Sequence, residues 1–396
     1  MATTNPILEN SFASARSAPG LLVLLAAMEP ETLQTVLSTL ASLPSAEGMI
    51  VATPDAPATE SWHSLKIIPV PSAVSSWTLT AAEFVLANQL AEQNEARAIL
   101  ILGPASASLR PSGLRELSNA VLNTPTDLAI PCYEMPPHAG LVNSAILYPL
   151  TRALFASRAR FPLAIDLGLS RRMAERLASV AERLSALNQN TSLVWPVSEA
   201  AVAGFAVNEF DVGPRAQPQP ADPDINAILA SVTGSLFAEI DAKAAFWQRA
   251  RQTPVARHPM QPPQISDASA DITPMLDAFR LAYTNLREIW SLVLPPNTLI
   301  GLKRLYATDA TAFQMPEHLW ARIVYDFVLA YRLRTINRGH LLGALIPLYL
   351  AWVASHINIT SSGTGVEQHI EAVAGAFEAE KPYLVSRWRW PDRFNP

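Results

Sequence analysis

Residues 98–105 read Ala98-Ile99-Leu100-Ile101-Leu102-Gly103-Pro104-Ala105. Five consecutive apolar residues stopped by Gly-Pro mark a short buried strand, because turn residues bound the run and Pro104 has no amide to continue a ladder. The flanking pattern decides the kind of sheet. Upstream come apolar runs at Leu21–Leu25, Gly48–Thr53 and Lys66–Val70, separated by helical periodicity near Glu31–Leu43 and Thr80–Asn94. Downstream come a helical pattern near Ser112–Leu122, an apolar run at Leu128–Pro131, and a helix over Tyr148–Ala156 with Pro149 in its first turn. A further helical stretch covers Leu169–Leu187, and Leu193–Trp195 reads as the last strand. Strands alternating with helices predict an α/β domain whose parallel sheet is joined by crossover helices.

From Asp224 onward strand signals stop. Ile225–Arg249 is amphipathic, and helices are expected near Thr273–Leu294, Pro316–Arg334, Arg338–His356 and Gly365–Pro382. The tract 253–266 holds Pro254, Pro259, Pro262 and Pro263 and little that could build a core, which predicts a linker or surface wrap. The expected organisation is a tail over 1–19, an α/β domain over 20–222, and a helical C-terminal region over 223–396.

Composition narrows the class of function. The chain has 396 residues, 49% of them apolar, enough for a sizeable core. A net charge of −5 with no run of like charges lacks the electrostatic footprint of a nucleic-acid binder. One cysteine, Cys132, forbids an internal disulfide and fits a reducing compartment, so a cytoplasmic location is expected. Leu21–Met28 is followed by Glu29-Pro30-Glu31 rather than a small-residue cleavage site, and reads as a buried first strand. Leu341–Ala354 is shorter than the roughly 20 residues a bilayer span needs, so it reads as a buried helix. The seven histidines show no zinc spacing, and the sequence has neither a nucleophile elbow nor a Walker phosphate loop.

Four stretches carry a resemblance: Tyr148-Pro149-Leu150-Thr151-Arg152-Ala153-Leu154, Arg160-Phe161-Pro162, Asp166-Leu167-Gly168-Leu169-Ser170, and Glu380-Lys381-Pro382-Tyr383-Leu384-Val385-Ser386-Arg387-Trp388. Together they resemble the glucosylglycerate and mannosylglycerate synthase group of GT-A glycosyltransferases. The resemblance implies a nucleotide-diphospho-sugar transferase-like α/β domain with a helical C-terminal extension. It also implies a divalent metal, held by an Asp-x-Asp pair and a later histidine, that bridges the donor diphosphate.

This chain departs from that pattern where the chemistry would sit. Aligning Ser108-Leu109-Arg110-Pro111 with the segment after the acidic pair puts Gly103, Pro104 and Ala105 at the pair. The family's Gly-Gly-Asp falls on Ala164-Ile165-Asp166, its acceptor-side carboxylate on Leu193, and its metal-binding histidine on Gln217. No metal or other cofactor is therefore expected. Asp166 reads either as the cap of a helix beginning near Leu169 or as a ligand-binding group. Tyr148, Arg152 and Arg160 are the further ligand-binding candidates, with Arg158 beside them, the arginines either clamping phosphates in place of a metal or being solvated and paired. Trp388 and Trp390 either stack on a sugar or pack the C-terminal tail.

The function that follows is a divergent or catalytically inactive glycosyltransferase-family protein, the alternative being an active, metal-independent enzyme using a nucleotide sugar. A nucleotide sugar or a small acceptor is the expected ligand. A second copy of the chain or an active relative is the candidate protein partner. Nucleic acid and a membrane span are not expected.

Overall fold

The computed structural model describes residues 20–55, 61–71, 78–189, 192–215, 225–249 and 271–391. The tail 1–19, the tract 253–266 and Gln217 lie outside the described residues. An eight-stranded sheet is built from β1 (Leu21–Leu25), β2 (Ile50–Thr53), β3 (Ser61–Trp62), β4 (Leu65–Pro69), β5 (Ala98–Leu102), β6 (Leu128–Glu134), β7 (Leu167–Ser170) and β8 (Val207–Pro214). Their spatial order is β3-β4-β2-β1-β5-β7-β6-β8. Strands β4, β2, β1 and β5 are mutually parallel, and every residue of β1 and β5 is buried, so these runs show no polar alternation.

Helices α1 (Pro30–Ala41), α2 (Ala81–Gln93), α3 (Pro111–Asn123), α4 (Tyr148–Phe155), α5 (Arg171–Ala186) and α6 (Pro196–Ala203) accompany the sheet. Local chemistry sets several of their starts. Glu83 closes a capping box on α2, accepting 2.5 Å hydrogen bonds from the Thr80 amide and hydroxyl. Ser170 caps α5 by accepting from the Met173 amide at 3.3 Å.

Two expectations are corrected here. Asp166 caps no helix, because β7 intervenes and Ser170 takes the cap. Leu193–Trp195 is no sheet strand: Leu193 makes one isolated bridge to Thr80, and Trp195 leads directly into Pro196 at the start of α6. The last strand is β8, whose mixed polar and apolar residues are those of a half-exposed edge.

The helical part comprises α7 (Ile225–Ala242), α8 (Ala244–Trp247), α9 (Thr273–Asn285), α10 (Arg287–Val293), α11 (Pro296–Tyr306), α12 (Glu317–Leu333), α13 (Arg338–Ser361) and α14 (Val366–Arg389). The stretch expected as one helix over Thr273–Leu294 is two, divided at Leu286, and α11 follows where no helix was expected. The helices α13 and α14 continue past Pro347 and Pro382. By length and composition α13 could cross a membrane, yet two thirds of its most apolar window is buried within the protein.

Two large hydrophobic cores result, with a small third cluster of Tyr148, Ile370 and Ala374 between α4 and α14. One joins the sheet to its flanking helices; the other fills the helical part. The second core takes in Leu141–Phe155 and Trp195, so α4 packs with the helical part although it lies within the α/β stretch of sequence. Hydrogen bonds from Trp320 Nε1 to the Ala145 carbonyl (2.8 Å) and from Trp195 Nε1 to Ser235 Oγ (3.0 Å) tie the parts together.

Where α13 meets α14, His356 and His369 are both buried and their Nδ1 atoms lie 2.7 Å apart. Trp352 stacks on both rings, His138 approaches His356 edge-on, and Glu317 stands 3.9 Å from His369 Nε2. Burial, reinforced by His369, His138 and Arg160, pushes the His356 pKa down to about 3. Between the ordinary histidine value and 3 the unfolded chain therefore binds a proton that the folded protein refuses. Stability is full above about pH 6.5 and falls on acidification, by about 1.4 kcal/mol per pH unit for this one histidine. Urea unfolding between pH 7 and 5 should show that loss, with a shallower slope in His356→Gln; equal slopes would sink the assignment.

Candidate functional site

In an open α/β sheet, ligands bind beyond the carboxyl ends of the strands where strand order reverses. Here the parallel strands β1 and β5 reach that edge and β7 enters the sheet antiparallel beside β5, pairing Ile101 with Leu167. The antiparallel entry brings Asp166, the residue before β7, to the end of β5. Its Oδ1 accepts a 2.8 Å hydrogen bond from the Gly103 amide. The other oxygen, Oδ2, accepts from the Tyr133 hydroxyl of β6 at 2.5 Å. Asp166 is 1% exposed, so these two bonds supply the partners that water would otherwise provide.

Glycine at 103 is required by this closure. A Cβ built there would stand 2.8 Å from Ile165 Cγ2 and 3.5 Å from Asp166 Oδ1. The Gly103-Pro104-Ala105 turn is thus roofed by Ile165-Asp166 and brings no carboxylate of its own.

Strand β8 completes the edge. Its ladder with β6 slips between Cys132 and Tyr133: Asp211 faces Cys132, whereas Gly213 faces Tyr133. Gly213 takes a φ of +78°, and the bulge re-aims the chain beyond it. Arg215 lands with its guanidinium carbon 4.6 Å from the Tyr133 ring centre and its Nε 3.9 Å from Asp166 Oδ2, too far for a hydrogen bond. That Nε is buried and has no hydrogen-bond partner among the described residues. Burial, helped by the Asp166 charge, raises the Tyr133 pKa well above the ordinary tyrosine value, so the phenol stays a donor. Burial opposes the charge on Arg215, but Tyr133 and Asp166 outweigh it and raise its pKa. Sequence reasoning missed Arg215 and Tyr133; the signal available was the Phe210-Asp211-Val212-Gly213-Pro214 stretch, an edge strand ending in a turn.

Beside this constellation lies a mainly apolar crevice at the ends of β1, β2, β4 and β5. Leu25, Pro54, Val70, Leu79, Pro104 and Ile165 are among its walls, with a free volume of about 20 Å³. Glu83 borders it too, but its Oε2 is held by the Thr80 cap.

The other candidates sit along a seam with α14. Glu367, Glu371 and Glu378 are spaced four and seven residues apart, so they share one helical face. Arg152 binds Glu378 through two bonds of 3.0 Å and Glu371 through one of 2.6 Å, and Tyr148 donates to Glu371 at 2.7 Å. Arg160 pairs with Glu367 through two 3.2 Å bonds and donates to Ser144 Oγ. Burial disfavours the charge on Arg152, but Glu378, Tyr148 and Glu371 more than offset it and raise its pKa. The structure brings Tyr148, Arg152 and Arg160 together, but neither arginine hydrogen-bonds Asp166. Phe161 connects the groups, its ring 5.0 Å from the Arg160 guanidinium carbon and 5.0 Å from the Tyr133 ring centre. Leu193 is partly buried against the helical core. Trp388 packs edge-on to Trp247 within that core, while Trp390 stands exposed.

No protein-family model and no curated protein sequence matches this chain. Similar solved structures do exist. Glucosyl-3-phosphoglycerate synthase from Mycobacterium tuberculosis, in complex with Mn2+, UDP and glucosyl-3-phosphoglycerate, is 13% identical over 56% of this chain and 79% of that one, with a TM-score of 0.35. Mannosyl-3-phosphoglycerate synthase from Rubrobacter xylanophilus is 12% identical over 59% of this chain and 77% of that one, with a TM-score of 0.37. CMP:2-keto-3-deoxy-manno-octonic acid synthetase complexed with CTP is 17% identical over 56% of this chain and 99% of that one, at 0.32. At scores this low, what this chain does has to be read from its own residues.

Removing the Tyr133 hydroxyl leaves a buried carboxylate oxygen without its closest donor. Tyr133→Phe should therefore cost about 1.5–3 kcal/mol of unfolding free energy. A urea midpoint equal to that of the parent protein would show that this bond does not hold the edge.

Proposed function

We propose that this chain binds a nucleotide sugar on a glycosyltransferase scaffold and lacks the metal-dependent transfer chemistry. The observation that carries the proposal is that the carboxylates at the crevice are already occupied. Asp166 holds the Gly103 amide and the Tyr133 hydroxyl, and Glu83 holds the start of α2. A divalent cation needs several oxygen ligands, and a group of three potential metal-ligating side chains occurs nowhere among the described residues. The described residues of this edge do not fit a divalent metal.

Binding is supported by the kind of surface the edge offers. An apolar crevice beyond the ends of parallel strands suits a nucleoside, and a cationic group beside it suits a phosphate. With room for about one water, the crevice admits a base only when its walls part. Transfer would need a base for the acceptor hydroxyl and stabilisation of the leaving diphosphate, each commonly worth several kcal/mol. Leu193 and the Gly103–Ala105 turn supply neither.

Thermal shifts with UDP-, GDP- and ADP-sugars are the direct test. Stabilisation should appear at high ligand excess, reaching about 2.7 kcal/mol at a hundred times Kd, and should be the same in EDTA as in manganese. Incubation with glycerate or phosphoglycerate should yield no glycoside. Manganese-dependent stabilisation, steady turnover, or no response to any nucleotide sugar would each overturn the proposal.

A further inference from the structure

We infer that Arg215 is an anion-binding residue of this edge, taking an oxygen of a diphosphate on a guanidinium whose Nε has no hydrogen-bond partner among the described residues. The inference deepens the nucleotide-sugar proposal and rests on it for the identity of the anion. Its geometric basis is a contrast between arginines. Arg152 and Arg160 are each held by a glutamate of α14 through two bonds, although Arg160 Nη1 is also buried without a partner among the described residues, and Arg110 is paired with Glu134 at 2.6 Å and Asp211 at 3.4 Å. Arg215 has one carboxylate nearby, Asp166, whose two oxygens already accept from Gly103 and Tyr133 and whose closest approach to Nε is 3.9 Å.

A buried N–H without an acceptor is rare, because leaving water unreplaced is costly. Here the side chain is held in that condition. The residue follows the bulge at Gly213, and its guanidinium carbon lies over the Tyr133 ring, 4.6 Å from its centre, which limits where the fork can go. A planar fork with an unmatched donor suits bidentate binding of a phosphate. The position is apt as well. Asp166 is the chain neighbour of Ile165, a wall of the crevice, so a nucleoside seated there would have its phosphates on the Arg215 side. The charge of Asp166 balances that of Arg215, so directed hydrogen bonds rather than net charge set the affinity.

The test is titration of the full chain with inorganic pyrophosphate, UDP and uridine, followed by calorimetry and thermal shift, in parent protein, Arg215→Gln, Arg215→Lys and Arg110→Gln. Arg215→Gln keeps most of the stem and the contact with Tyr133; unchanged far-UV circular dichroism verifies its fold. Pyrophosphate and UDP should bind the parent, weaken about tenfold or more in Arg215→Gln and recover in part in Arg215→Lys. Uridine should bind parent and Arg215→Gln alike, and Arg110→Gln should resemble the parent. Pyrophosphate bound equally by parent and Arg215→Gln, or by neither, overturns the inference, as does equal weakening of uridine and UDP. Arg215-dependent binding of pyrophosphate with no binding of UDP or any nucleotide sugar would keep the anion site and discard the nucleotide-sugar proposal.

Discussion

The hydrogen bond from the Gly103 amide to Asp166 is the constraint on which this edge of the sheet depends. Strand β7 runs against its neighbours, so the chain entering it must cross the ends of β5 and β6. One carboxylate fastens that crossing to both, through the Gly103 amide and the Tyr133 hydroxyl. The glycine allows Ile165 to lie directly over the end of β5, and Ile165 in turn becomes a wall of the crevice. The shape of the crevice, the orientation of Tyr133 and the resting place of Arg215 all follow from this fastening.

A second set of polar contacts sets how the two parts of the chain sit. Three glutamates on one face of α14 receive Arg152, Tyr148 and Arg160. Buried ion pairs add little net stability against apolar packing, because desolvation offsets attraction, but breaking one side leaves a charge stranded. Their effect is therefore one of register: α14 can dock on α4 only where all three glutamates meet donors. A similar logic applies on the other side, where Lys243 pairs with both Glu199 and Glu239 between α6 and α7.

Much of the fold was legible because apolar runs and helical periodicity report burial directly. Leu21–Leu25 and Ala98–Leu102 are the observed strands to the residue, whereas the helix expected to start at Tyr148 continues helical backbone that already runs from Leu141 through a π-helical segment at Asn143–Leu147, so Pro149 is not in its first turn. Half-buried elements were less legible. Val207–Pro214 mixes exposed and buried residues, so β8 gave no run, while Leu193-Val194-Trp195 looked like a strand because its apolar residues plug the gap between two cores. Asp166 stood out in the sequence, but its partners could not. Gly103 is 63 residues away and Tyr133 is 33, and only the antiparallel insertion of β7 makes them neighbours. Arg152 and Arg160 were visible as charges, but the glutamates that neutralise them lie more than 200 residues on.

The same geometry resists an acidic side chain at the end of β5. An aspartate introduced at 103 would need its Cβ where Ile165 now stands, 2.8 Å from Cγ2. Displacing Ile165 would loosen the crossing that Asp166 fastens. The new carboxylate would also lie beside that of Asp166, and like charges in a buried site disfavour each other's ionisation. Arginine faces no such obstacle. Arg215 approaches from β8, outside the Gly103 turn, and brings its charge to the edge without disturbing the roof over β5. Within this packing, the guanidinium reaches the edge without displacing Ile165 or drawing Asp166 away from Gly103 and Tyr133.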